Sequence, residues 1–242
     1  MDDAKPKAAA SEFPNSAKDP VVDGIEVAAR NRTLTRPEWF PDWTGEACAI
    51  VASGPSTKWV DVGLLQGKLR VIAIKENSSL CPWADLVYGC DAAWWRNADG
   101  LPGYDGLKVA ATLRLIRYPD IHIIKVSDPS CDKLVLTPPG TIGSGGNSGF
   151  QAVNMAVQFG VRRIILIGFD VNDHYGTHWY GKADGEGRSN PSEWNFRRWR
   201  EAFAFAATQL QHAGIEVLNC SEFTSLKCFP KATLEQALAK WT

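Results

Sequence analysis

The sequence predicts one α/β domain whose sheet is mostly parallel and whose helices cover both faces. Three observations carry this. From Ala47 onward, short aliphatic runs alternate with segments of helical period, and no internal repeat interrupts them. Ile164 to Ile167 is an unbroken aliphatic run, as in a strand buried on both faces. Most runs end in polar residues, which is where open α/β sheets gather their ligands.

The elements follow in order. Residues 1–20 are rich in Ala, Lys, Asp, Ser and Pro and predict a disordered tail. Residues 21–46 contain Trp39, Phe40 and Trp43 and predict an extension packed onto the domain, which spans residues 47–242. Ala47–Ala52 reads as a strand, Ser53–Ser56 as a tight turn and Thr57–Leu65 as a helix, the opening of a Rossmann-like nucleotide-binding half-sheet. Val71–Ile74, Asp85–Tyr88, Lys108–Ala111 and Ile121–Ile124 read as further strands. A glycine-rich loop, Gly143–Gly149, precedes a helix with apolar positions Phe150, Val153 and Val157, capped by Asn147 or Ser148 and stopped by Gly160. Beyond the next strand, residues 171–191 form a polar, aromatic loop with the composition of a mobile active-site loop. Ser192–Gln211 reads as a helix closed by Gly214, Ile215–Leu218 as the last strand, and Thr233 as the cap of a final helix.

Five strand ends carry chemistry: Gly54-Pro55-Ser56, Lys75-Glu76-Asn77, Asp91, Asp170 and Asn219-Cys220-Ser221. In a parallel sheet, right-handed crossovers bring all five to one edge. Facing them, the amides of Gly146-Asn147-Ser148-Gly149 at a helix start suit an anion, although such turns also serve purely structural ends. The predicted nucleotide-binding residues are Gly54, Pro55, Ser56, Lys75, Asn77, Asp91, Gly146, Asn147, Ser148 and Gly149. His178 is the candidate base, being a titratable group in a polar loop, with Asp170 as its catalytic companion. His174 and His178 lack a third ligand at metal spacing, so no metal site is predicted; His122 and His212 read as structural.

Composition narrows the classes. Lys and Arg number 26 against 27 Asp and Glu, so no global charge favours nucleic acid or an anionic membrane. The six cysteines show no paired metal spacing and predict free thiols, hence a cytoplasmic setting. The apolar runs are too short to span a bilayer, and no signal-peptide pattern precedes the first strand. Ten tryptophans are many for 242 residues; Trp94, Trp95, Trp179, Trp194 and Trp199 stand near polar candidates.

Ala52-Ser53-Gly54-Pro55-Ser56, the Asn147-Ser148-Gly149 loop with its helix, the strand ending in Gly168-Phe169-Asp170, and His178-Trp179-Tyr180-Gly181 together resemble a known superfamily. It comprises small bacterial sialyltransferases, flagellin-glycosylation accessory proteins and 6-hydroxymethylpterin diphosphokinase (MptE-like) proteins. The pattern is most similar to phage-encoded relatives with morphogenesis-type labels, and it covers about Ala47 to Trp241. The resemblance implies that Gly54-Pro55-Ser56 and Ser148-Gly149 hold the nucleotide of a CMP-sugar, and that His178 is the base. Two positions depart from it. Lys75 stands where the sialyltransferases have a nucleotide-binding asparagine, and Val171 and Asn172 stand where a phosphate-steadying tyrosine is expected, with Tyr175 as the substitute.

The leading expectation is a glycosyltransferase-like enzyme using a nucleotide or nucleotide-sugar, with a glycan, a protein or a modified DNA base as acceptor. The alternatives are a diphosphokinase, which would need Mg²⁺ held by Asp91, Asp170 and Glu76, and a non-catalytic phage assembly or particle protein. The phage resemblance implies the host cytoplasm, with no membrane partner, and leaves homo-oligomerisation open.

Overall fold

The computed structural model describes residues 36–112, 115, 117–184 and 189–242; the expected amino-terminal tail lies outside them. Nine strands are present among the described residues: β1 (Ala47–Val51), β2 (Arg70–Ile74), β3 (Leu86–Gly89), β4 (Leu107–Ala110), β5 (Ile121–Ile123), β6 (Lys125–Val126), β7 (Thr141–Ile142), β8 (Arg163–Ile167) and β9 (Glu216–Asn219). Four α-helices accompany them: α1 (Ala92–Asn97), α2 (Ser148–Phe159), α3 (Glu193–His212) and α4 (Leu234–Trp241).

Seven strands form one wholly parallel sheet in the order β5-β4-β3-β2-β1-β8-β9, while β6 and β7 pair separately. Successive side chains of a strand point to opposite faces, and both faces here are apolar. Ile50, Ile72, Leu86, Ile164 and Leu166 meet Phe150, Phe159 and Phe203 of α2 and α3 on one side. Val51, Val71, Ala73, Ile165 and Ile167 meet Leu65, Trp95, Leu234 and Leu238 on the other. This two-sided burial is why the strands read as continuous aliphatic runs and not as alternating ones.

From β1 the chain builds outward through β2 to β5, then returns to lay β8 and β9 on the other side of β1. The order therefore reverses between β1 and β8, and the carboxyl ends of these two strands open a crevice.

The helix expected over Thr57–Leu65 is instead two 3₁₀ turns, Pro55–Trp59 and Val62–Leu65. Asp61 separates them: its carboxylate accepts from the Gly63 amide at 3.0 Å and starts a new turn where an α-helix would have continued. Trp43 packs edge-on against Phe159 at 5.0 Å, and its amide donates to the Phe159 carbonyl, so the described part of the extension sits against α2.

Candidate active site

The glycine-rich loop is shaped from beneath by polar residues on the buried face of α2. Gln151 donates to the Ser144 carbonyl at 3.0 Å and accepts from the Tyr88 hydroxyl at 2.7 Å. The Asn154 carbonyl oxygen accepts from the amides of Gly143 and Val135, each at 2.8 Å. Gly145 (φ +53°) and Gly146 (φ +68°) take the left-handed conformations that turn the chain into the helix. Asn147 is the cap; its side chain accepts from the Phe150 amide at 2.8 Å. Among the described residues, the amides of Ser148 and Gly149 have no intrachain acceptor. Both line a cleft at the positive end of a 12-residue helix. A Cβ on Gly146 would lie 3.1 Å from the Trp199 indole nitrogen, which donates to the Gly146 carbonyl, so glycine there lets α3 close on the loop.

The facing wall is the junction of β1 and β8. Asp170 accepts from the Ser56 hydroxyl at 2.5 Å and from the Ser56 amide at 3.2 Å. The Ser56 oxygen in turn accepts from the Phe223 amide at 2.9 Å. Burial raises the Asp170 carboxyl above its ordinary value, and the Ser56 hydrogen bonds only partly offset it. Gly54 packs so closely over this carboxylate that a Cβ would fall 2.0 Å from its Oδ2. Asp170 thus lines the cleft while serving as a brace; the Ser56 side chain is buried behind it.

The ends of β2 and β3 supply the third wall. Lys75 has φ +53°, an uncommon conformation for a residue other than glycine, and its ammonium pairs with Asp91. Burial alone would lower that ammonium; the facing Cys90 and Asp91 groups outweigh it and hold it above its ordinary value. The Ser148 hydroxyl donates to the Cys90 sulfur at 3.2 Å, and burial pushes the Cys90 thiol up. Asn77 is fully buried below this wall, its amide nitrogen donating to the Ile74 carbonyl at 2.7 Å.

The loop after β8 covers the cleft. Asn172 fastens its start, donating to the Asp170 and Phe223 carbonyls at 2.9 and 2.8 Å. Arg200 donates to the carbonyl of Val171, itself at φ +53°. Thr177, His178 and Tyr180 then line the cleft, with the His178 ring stacked on Tyr180 at 5.0 Å. Tyr175 does not reach it and stacks on Phe223 at 4.0 Å. The basic cluster of α3 is paired: Arg197 with Glu201, Arg198 with Asp132 and Arg200 with Glu193.

Of the residues singled out in the sequence, Gly54, Lys75, Asp91, Gly146, Asn147, Ser148, Gly149, Asp170 and His178 line this one cleft; Pro55, Ser56 and Asn77 lie behind its walls. Its volume of about 320 Å³ falls within the range of small-molecule sites, roughly 300–1,000 Å³. Cys90, Tyr180 and Asn195 also line it and stand outside the predicted site residues. For Tyr180 the signal was adjacency to His178; Cys90 and Asn195 carry none, since a thiol after a strand and an asparagine in a helix's first turn are ordinary. Among the described residues, no three His, Cys, Asp or Glu side chains converge as a metal site would require. No described helix is long and apolar enough to cross a membrane.

No protein-family model and no curated protein matches the sequence. Solved structures do. The sialyltransferase CstII from Campylobacter jejuni, in complex with the substrate analogue cytidine-5'-monophosphate, superposes with a TM-score of 0.51 at 12% identity, covering 78% of this chain and 86% of that one. A structure of the sialyltransferase CST-II with a trisaccharide acceptor and CMP gives 0.50 at 12% identity over the same shares. This chain therefore has the α/β fold of those sialyltransferases.

Proposed function

We propose that the protein is a glycosyltransferase-like enzyme acting on a nucleotide-activated sugar. The observation that carries the reading is the meeting, in one cleft at the sheet's reversal point, of the free Ser148 and Gly149 amides and the His178 ring. The sialyltransferases that share the fold bind CMP, and one holds a trisaccharide acceptor, which supports a nucleotide donor and a glycan acceptor here.

In this reading His178 takes the proton of an acceptor hydroxyl as that oxygen attacks the anomeric carbon of the sugar. The bond from that carbon to the nucleotide phosphate oxygen breaks, and the phosphate leaves against the amides of Ser148 and Gly149. Lys75, in its pair with Asp91, stands at the nucleotide wall and turns its ammonium from that pair toward the leaving nucleotide. Asp170 holds the β1 turn in place and leaves base chemistry to His178.

Magnesium-dependent phosphoryl transfer has less support. It needs carboxylates turned to the metal, whereas Asp170 is engaged by Ser56 and Asp91 by Lys75. A thermal-shift screen of CMP, CMP-sialic acid, UDP-sugars and ATP, with and without Mg²⁺, tests the reading. A metal-independent shift with CMP or a nucleotide-sugar supports it. A shift only with ATP and Mg²⁺ replaces it with the diphosphokinase. No shift with any of them favours a non-catalytic assembly role.

A further inference from the structure

The geometry points to Trp179 as a positioning residue that, through the buried side chain of Asn77, fastens the segment carrying His178 to the sheet. The fastening stands on its own; only the consequence for turnover rests on the function proposed for His178.

Thr177 to Tyr180 lies between two left-handed glycines, Gly176 (φ +103°) and Gly181 (φ +99°), neither of which has any atom within 4 Å of where a Cβ would be. Such a stretch is free to swing at both ends unless something holds its middle. Trp179 holds it twice. Its amide donates to the Ser53 carbonyl at 2.9 Å, just past β1, and its indole N–H donates to the Asn77 side-chain oxygen at 2.9 Å, just past β2.

Asn77 is built to receive that bond. Its amide nitrogen spends both hydrogens, on the Ile74 carbonyl at 2.7 Å and the Ser53 hydroxyl at 3.0 Å, so its oxygen is fixed toward Trp179. An indole offers a donor and nothing else, which makes the pairing one-way. From Trp179 the contact continues by rings. Tyr180 meets the indole edge-on at 5.3 Å, and His178 stacks on Tyr180 at 5.0 Å and 15°. His178 is thereby referenced to the same two strand ends that carry Gly54 and Lys75. This assigns Asn77 to the support of the loop, in place of the nucleotide contact expected from its position after a strand.

The test uses the full chain and Trp179→Phe, which removes the N–H and keeps an aromatic ring against Tyr180. Two quantities are read: amide hydrogen exchange over residues 176–181, and CMP release from CMP-sialic acid split into kcat and KM. We expect exchange to quicken about tenfold, kcat to fall about tenfold, and KM and CMP affinity to stay within twofold, with little change in melting temperature. Unchanged exchange would overturn the fastening. Faster exchange with an unchanged kcat would overturn the positioning role. A wild-type protein that releases no CMP would count against the transferase reading, while the exchange comparison would still decide whether Trp179 fastens this segment.

Discussion

Asp170 and Ser56 lie 114 residues apart in sequence and meet through a 2.5 Å hydrogen bond at the junction of β1 and β8. Their contact closes the sheet's reversal point, and it makes a strand-end carboxylate a structural member of the cleft wall. Replacing Asp170 by alanine should leave the buried Ser56 donors unmatched and cost about 1–3 kcal/mol. Urea unfolding of the variant checks this; an unchanged midpoint would show that the brace is dispensable.

The same carboxylate sets a pH dependence. Its folded value is raised above that of the unfolded chain, so folding favours the protonated form. The associated stability is fully present below the unfolded value, near 3.8, and is lost as pH rises through the raised folded value. Asp170→Asn removes this titration. The stability of the variant relative to wild type should therefore improve between pH 3.5 and pH 7, as measured by melting temperature at both values. A constant difference would place the titration elsewhere.

Gly54 should tolerate no side chain. A Cβ would sit 2.0 Å from the Asp170 carboxylate and 2.5 Å from the Gly168 carbonyl. Gly54→Ala should cost about 3 kcal/mol or prevent folding. Gly67→Ala, where only the positive φ of +72° is unfavourable and no atom lies within 4 Å, should cost about 1–2 kcal/mol. Equal losses in the two variants would contradict the close packing at Gly54.

Lys75 should remain charged through the neutral range because its neighbours hold the ammonium above its ordinary value. Lys75→Met should weaken CMP binding about tenfold, or about 1.4 kcal/mol, by titration calorimetry at neutral pH. Unchanged affinity would mean that the Lys75–Asp91 pair is internal to the protein and does not meet the nucleotide.

His178→Ala should slow single-turnover CMP release about a hundredfold and leave CMP affinity within twofold. Normal turnover in a variant that melts normally would remove His178 from the mechanism.

Much of this architecture was legible in the residues. Double-sided burial wrote the strands as aliphatic runs, so β1, β2 and β8 were found to within a residue or two. Gly160 (φ +101°), Asn147 and Thr233 terminate or cap helices as their chemistry dictates. What stayed hidden depended on long-range partners. Nothing near Asp170 in sequence announces Ser56, and nothing near Asn77 announces Trp179. The Thr57–Leu65 helix failed because one local competitor, the Asp61 carboxylate on the Gly63 amide, outbid the helical pattern. The polar Gln151 and Asn154 on the buried face of α2 do carry a signal in the sequence: buried amides require partners, and here the partners are the backbone of the glycine-rich loop.

On the proposed function, nucleotide phosphate rests on the start of α2, in the cleft that His178 also lines. A crystal structure of the protein with CMP tests it most directly. Phosphate oxygens should lie within about 3 Å of the Ser148 and Gly149 amides, with the cytidine running toward Gly54 and Lys75. CMP bound elsewhere, or a cleft left empty at millimolar CMP, would contradict it.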